Sequence, residues 1–296
     1  MIINILSGTS QLAQKAIAHL LDRGFSPDSI LITTRHPEKN IFHDKGIRTV
    51  FGDYDSRESL VSAFKRCNKT WLIPSFAPDA QRVAQITNGI EASVKAGIQH
   101  VYFSSFITVH PDSAFQAIPF YLYAETRLKQ CGLKWTILRN GVYLDPLVEW
   151  IAELANKGYF SYPVKEGRVA YISRNDLGRA TAAALLSDDV GGRIFELTGP
   201  EALSMYEIGE IAASKMNKEF VYQPVSEEKF KENCRKDKTP EPEIELLTSM
   251  YRAVENGETD KVSRDVFDLT GFQATSVGEY FEQVLVPLVR ERNIRL

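Results

Sequence analysis

Cysteine is nearly missing from this sequence. Cys67, Cys131 and Cys234 stand far apart in 296 residues, with no CxxC pair. An odd, scattered set excludes a disulfide framework and a cysteine-based zinc site and leaves ordinary reduced thiols. The five histidines are equally dispersed, and no HExxH, GxSxG or phosphate-loop pattern occurs, so no metal is expected. Positive charge is not in excess: 35 Lys and Arg face 38 Asp and Glu, a formal net charge of −3, with no basic block. That removes the electrostatic footprint of a nucleic-acid binder. No apolar run approaches the ~20 residues of a bilayer-spanning helix, so no membrane partner is expected. The first residues read as a strand rather than a secretory leader, and the expected address is the cytoplasm. Glycine, finally, is short where one kind of turn demands it, at residues 7–13.

What is present is an ordinary globular composition, 44% hydrophobic and 25% charged, ample for a large core. Strand and helix patterns alternate from the start. Strands are predicted at 2–6, 29–34, 47–53, 70–74, 100–105 and 134–139. The intervening helices are predicted at 11–24, 56–67 (with Ser56 as N-cap), 79–97 and 120–132. The strands are continuous apolar runs, the mark of burial on both faces, and strands separated by helices run parallel through right-handed crossovers. The expectation is α/β: a Rossmann-type, doubly wound parallel sheet over residues 1–145 that binds a dinucleotide. A smaller carboxy-terminal α/β lobe over 146–296 packs on it. In that lobe, 168–186 reads as strand, turn and helix, capped by Asn175 or Asp176. A further strand is predicted at 193–200, a helix at 203–216 opening on a Ser204–Glu207 capping box, and a strand at 219–225.

The opening turn, "SGTSQLA", puts Ser7, Ser10 and Ala13 where a dinucleotide fingerprint has its three glycines, with Gly8 between the first two. A Cβ costs about 1–2 kcal/mol where the backbone needs positive φ. The helix start still offers free N–H groups and a positive dipole end to a phosphate. Two readings follow: a weakened but usable phosphate turn, or a structural relic. The second strand ends in Arg35, which suits a 2′-phosphate, where an acidic residue would select NAD. NADP(H) is therefore expected over NAD(H). Asp53 and Tyr54, ending the third strand, are expected beside an adenine. Ser104 and Ser105 end a buried strand at the carboxyl edge, where sites form.

These pieces, together with "TTRHPEK", "GDYDSRESLVSAFK", "VKAGIQHVYFSS", "AETRLKQCGLKWTILRNGVYLDP" and "YISRNDLGRATAAAL", resemble the NmrA-like branch of the atypical short-chain dehydrogenase/reductase superfamily. They are similar in particular to its bacterial quinone-reductase-like members. The resemblance implies an NADP-binding domain, a smaller lobe and a cleft between them. It places the phosphate turn at Gly8, Thr9, Ser10, Gln11 and Leu12. The ribose and nicotinamide wall falls at Pro74, Ser75, Phe76, Ser104 and Ser105, and a substrate-facing segment at Asn140 to Tyr143. The superfamily's Tyr-x-x-x-Lys pair finds only Tyr123 with Arg127, so Tyr123 and Ser105 are the candidate catalytic residues. A flat electrophile would rest between Phe76, Phe106 and Tyr143. The implied activity is an NADPH-dependent reduction of a quinone or other small carbonyl or enone. The alternative is a dinucleotide-binding redox sensor that regulates a protein partner without turnover. A homodimer is compatible with either.

Overall fold

The computed structural model describes residues 1–39, 41–75 and 77–292, with Lys39 described in its backbone only. The predicted alternation is realised through the first half. It runs β1 (Ile3–Leu6), α1 (Gln11–Asp22), β2 (Ile30–Thr34), β3 (Arg48–Phe51), α2 (Arg57–Phe64), β4 (Lys69–Leu72), α3 (Asp79–Ala96), β5 (His100–Phe106), α4 (Ile118–Lys129) and β6 (Lys134–Asn140). Ser56 caps α2 as expected, its hydroxyl accepting from the Ser59 N–H.

Beyond residue 140 the chain does more than the sequence reading anticipated. A helix not foreseen, α5 (Leu144–Leu154), follows at once and buries Leu144, Leu147, Val148, Ile151 and Leu154. Two short strands, β7 (Tyr159–Phe160) and β8 (Arg168–Val169), lead to α6 (Arg174–Leu186). The cap of α6 is Ser173 rather than Asn175 or Asp176. Ser173 is extended and its hydroxyl accepts from the Asp176 N–H, so Asp176 is the third helical residue and receives the cap. Strand β9 (Arg193–Leu197), read from sequence among the elements of the carboxy-terminal part, lies beside β6 as the seventh strand of the main sheet. The sheet order is β3-β2-β1-β4-β5-β6-β9, all parallel.

Side chains of α1 and α6 fill one face of this sheet around Ile5, Ile32, Trp71, Tyr102 and Leu138. The two helices touch closely. A Cβ on Gly178 would stand 2.7 Å from Lys15 Cβ and 2.8 Å from the Ala16 nitrogen, so only glycine fits there. Helices α2, α3 and α4 cover the other face around Leu72, Val101, Phe103 and Ile137. A second apolar core belongs to the carboxy-terminal part. It joins α5, Phe160, Tyr171 and residues of α7 (Met205–Met216) to later helical residues such as Tyr251 and Phe281. The Ser204–Glu207 capping box opens α7 as expected. The expected strand at 219–225 shrinks to Val221–Tyr222, paired with β7. Among the described residues, no helix is long and apolar enough to cross a membrane.

Candidate cofactor and acceptor cleft

Every strand of the sheet ends toward the same edge, and the expected site residues gather along it. At the β1–α1 turn, Ser7 adopts φ +62°, the left-handed conformation that favours glycine. It is held by its own N–H to the Thr33 carbonyl at 3.0 Å and by its carbonyl accepting from the Ser10 N–H at 3.0 Å. Gly8 is required for a different reason. A Cβ there would lie 2.8 Å from Ile32 Cγ2 and 3.0 Å from the Ile5 carbonyl oxygen. Ser10 carries no strain, because it is the extended N-cap of α1, its hydroxyl accepting from the Ala13 N–H at 3.3 Å. The carbonyl of Thr9 accepts from Gln14 Nε2 at 2.9 Å. The first-turn amides of Gln11 and Leu12 stay open, as a helix start must leave them. A turn with no room for a Cβ at Gly8 and open amides beyond it suits a diphosphate.

Arg35 follows β2, is exposed, and has no ion pair or hydrogen bond among the described residues. Asp53 is tied down by Ser59, whose hydroxyl accepts from the Asp53 N–H at 2.9 Å. The Tyr54 ring is buried in the sheet core, and its hydroxyl donates to the Ile73 carbonyl at 3.0 Å. Tyr54 therefore props the wall from within, leaving main chain to border the cleft. Pro74 and Ser75 continue that wall. The Ser75 hydroxyl donates to Gln85 Oε1 at 2.5 Å, and Gln85 and Gln81 both donate to Asp55. Phe76 lies outside the described residues.

The two serines closing β5 face opposite sides of the sheet, and each already has a partner. Ser104 accepts from Trp71 Nε1 at 2.9 Å. Ser105 donates at 2.8 Å to Glu125, a buried carboxylate bound through both oxygens to Arg139 at 2.9 and 2.8 Å. Hydrogen bonding to Glu125 raises the Arg139 guanidinium above its usual value. Tyr123 is turned to α3, its hydroxyl 2.8 Å from Thr87 Oγ1, and Arg127 lies 3.8 Å from Glu91. Helical geometry is the reason: residues two apart on a helix point about 200° away from each other, so Tyr121 and Tyr123 cannot share a face.

Tyr121, on the opposite side of α4, packs against Phe106 at the end of β5. Its ring stacks on Phe106 with centroids 6.1 Å apart, and Phe106 packs on Phe115 at 5.0 Å. The Arg82 guanidinium, carried in by α3, sits 3.8 Å over the Phe120 ring and 5.2 Å from the Tyr121 ring. It donates to Asp79 at 3.1 Å, while its buried Nε has no partner among the described residues. Asn140 ends β6 with its Nδ2 donating to the Tyr143 hydroxyl at 3.3 Å, and its buried Oδ1 likewise has no partner among the described residues. Burial pushes the Tyr143 phenol up to about 12, with the Asn140 bond opposing. The structure thus brings Phe106, Asn140 and Tyr143 together as expected and adds Tyr121 and Arg82. Nothing in "DAQRVAQ" marks Arg82; only its place on the inner face of α3 does.

Comparisons with known proteins point to one family. A sequence model of the NmrA-like family matches residues 1–281. The chain is 23% identical to NAD(P)H azoreductase of Xenophilus azovorans, over 94% of this chain and 96% of that protein. It is 25% identical to quinone oxidoreductase 2 of Escherichia coli, over the same shares. Among solved structures it is similar to Citrobacter sp. triphenylmethane reductase complexed with NADP(H). That match has 27% identity and a TM-score of 0.90, covering 96% of this chain and all of that one.

Proposed function

Because the chain belongs to the NmrA-like family, we propose that it is an NADPH-dependent reductase of a small, flat, electron-poor compound: a quinone, an enone or a related carbonyl acceptor. It is an NAD(P)H-dependent oxidoreductase, as are the relatives named quinone oxidoreductase and azoreductase. The observation that carries NADPH over NADH is Arg35, an exposed guanidinium without a partner among the described residues at the end of β2. It stands where a ribose phosphate would need a fork of donors.

The residues present fit the dinucleotide. The open amides of Gln11 and Leu12, with Gly8 and Thr9 before them, cradle the diphosphate, and the Ser10 cap fixes the helix end that presents them. Asp53 and the main chain at Tyr54 border the adenine, and Pro74 and Ser75 wall the ribose. When bound, the cofactor supplies a hydride. Everything else falls to the side chains. Phe106, Tyr121 and Tyr143 form an aromatic wall that holds a flat ring and keeps water out. Asn140 offers its unsatisfied Oδ1 to an amide donor. Ser104 and Ser105 position rather than react, since both hydroxyls are engaged with Trp71 and Glu125. In this reading residues 1–145, completed by α6 and β9, hold the dinucleotide and the remainder of the chain from 146 covers the acceptor, in a cytoplasm that keeps the three thiols reduced.

Titrating the protein with NADPH and with NADH, following nicotinamide fluorescence, and then adding a naphthoquinone tests the reading. Tight NADPH binding followed by its oxidation is the expected result. Binding that persists unchanged across a panel of quinones, enones and aldehydes would restore the sensor alternative.

A further inference from the structure

The aromatic wall contains a polar pair that the reading above leaves unused. Tyr121 comes from α4 and Arg82 from α3, and they meet beside Phe106, the last residue of β5. Arg82 is only 8% exposed; among the described residues its Nε has no hydrogen-bond partner and its one ion pair is to Asp79, while the guanidinium lies against the Phe120 and Tyr121 rings and hydrogen-bonds to Tyr121. A buried donor left open in this way is uncommon and calls for an explanation. Burial pushes the Tyr121 phenol up, and the guanidinium beside it pulls the other way. Tyr121 therefore stays protonated at rest, beside a charge suited to its conjugate base.

We propose that Tyr121 is the proton donor of the reduction, with Arg82 stabilising the phenolate that donation leaves. The inference rests on the reductase reading and names its acid. One hydride and one proton add to a carbonyl acceptor. As the acceptor takes up hydride from NADPH, an electron pair collects on its oxygen. The Tyr121 O–H bond breaks, the product O–H bond forms, and NADP⁺ departs. The phenolate, paired with Arg82, then recovers its proton from water.

The chemistry itself supplies a discriminating test. A cationic triarylmethane dye becomes neutral on accepting hydride at its central carbon and needs no proton, whereas a quinone needs both. For Tyr121→Phe, the fluorescence titration should give an NADPH dissociation constant within about twofold of the parent. Naphthoquinone kcat/KM should fall about 100-fold, the usual scale of general-acid catalysis, and the solvent deuterium isotope effect should disappear. The crystal violet rate should stay within about twofold. Arg82→Gln should lower the quinone rate about tenfold with NADPH binding kept, which guards against a Tyr121 variant that misfolds. An equal loss for quinone and dye, or no loss for either, would overturn the assignment. A parent protein that binds NADPH but reduces no acceptor sinks the reductase reading itself, and that result is seen before any variant is made.

Discussion

The two edges of the central sheet differ in how many of their polar groups are left open. At the amino edge, His100, Tyr102 and Thr136 form a closed chain. Thr136 donates to the Val190 carbonyl at 2.7 Å, so it accepts from His100 Nε2 at 2.8 Å, and the Tyr102 hydroxyl lies 3.2 Å from His100 Nδ1. Lys69 joins them by donating to the Leu185 and Ser187 carbonyls at the end of α6. At the carboxyl edge, beside the closed Ser105–Glu125–Arg139 set, several groups stay open among the described residues: a strained Ser7, an exposed Arg35 without a partner, and an Arg82 Nε and an Asn140 Oδ1 without hydrogen-bond partners. A closed network stabilises and specifies the fold. An open one is a set of groups waiting for something to bind. Substitutions at the first edge should register in stability, and substitutions at the second in binding and turnover.

The largest expected effect lies at the closed edge. Burial, aided by Lys134 and Lys69, lowers the His100 imidazole to about 4. The unfolded value is about 6.5, so the unfolded chain binds the extra proton. Stability contributed by neutral His100 is complete above pH 6.5 and declines as the pH drops through 4, by about 3 kcal/mol in all. Urea midpoints across that range should show the decline in the parent and a flatter line in His100→Gln. An identical slope in both would mean that other groups carry it. Next comes Arg35→Ala, which removes a charge-assisted, forked contact worth about 2 kcal/mol. NADPH binding should weaken about 30-fold and NADH binding under twofold, with the melting temperature unchanged. Equal losses for both nucleotides would remove the cofactor preference. The smallest effect is at Ser7. Ser7→Gly relieves the left-handed strain but loosens the unfolded chain. A net gain of about 0.5–1 kcal/mol is expected by thermal unfolding, with tighter NADPH binding. A loss of stability would show that the Ser7 hydroxyl, 3.4 Å from the Ile73 carbonyl, matters more than its backbone.

The parts of the molecule that could be read from sequence are those coded locally. Strands separated by helices announce themselves as short apolar runs, and six of the seven strands were placed in the sheet that way, although the edge strand β3 is only partly buried. The turn at residues 7–13 and Arg35 are likewise tied to the ends of particular strands. What could not be read depends on long-range packing. Nothing in "RIFEL" distinguishes the sheet's last strand from one in the smaller lobe, because its only strand partner is β6, more than fifty residues earlier. The two tyrosines of "FYLY" are interchangeable until the contact of α4 with α3 decides which one meets Phe106. Ser104 and Ser105 look alike at the end of β5, yet Trp71 takes one from one face and Glu125 the other from the opposite face.

The route of the chain after residue 140 has its own consequence. The backbone leaves the sheet through α5 and returns to lay α6 against α1 and β9 against β6. It then leaves again into α7. A fragment ending near residue 145 would expose the α1 side of the sheet and an unpaired β6 edge, an invitation to aggregate. During synthesis the amino-terminal half must therefore wait, incompletely covered, until about fifty more residues have emerged. Deletion mapping of this protein should yield insoluble pieces on either side of that cut, and only the intact chain should be recoverable in folded form.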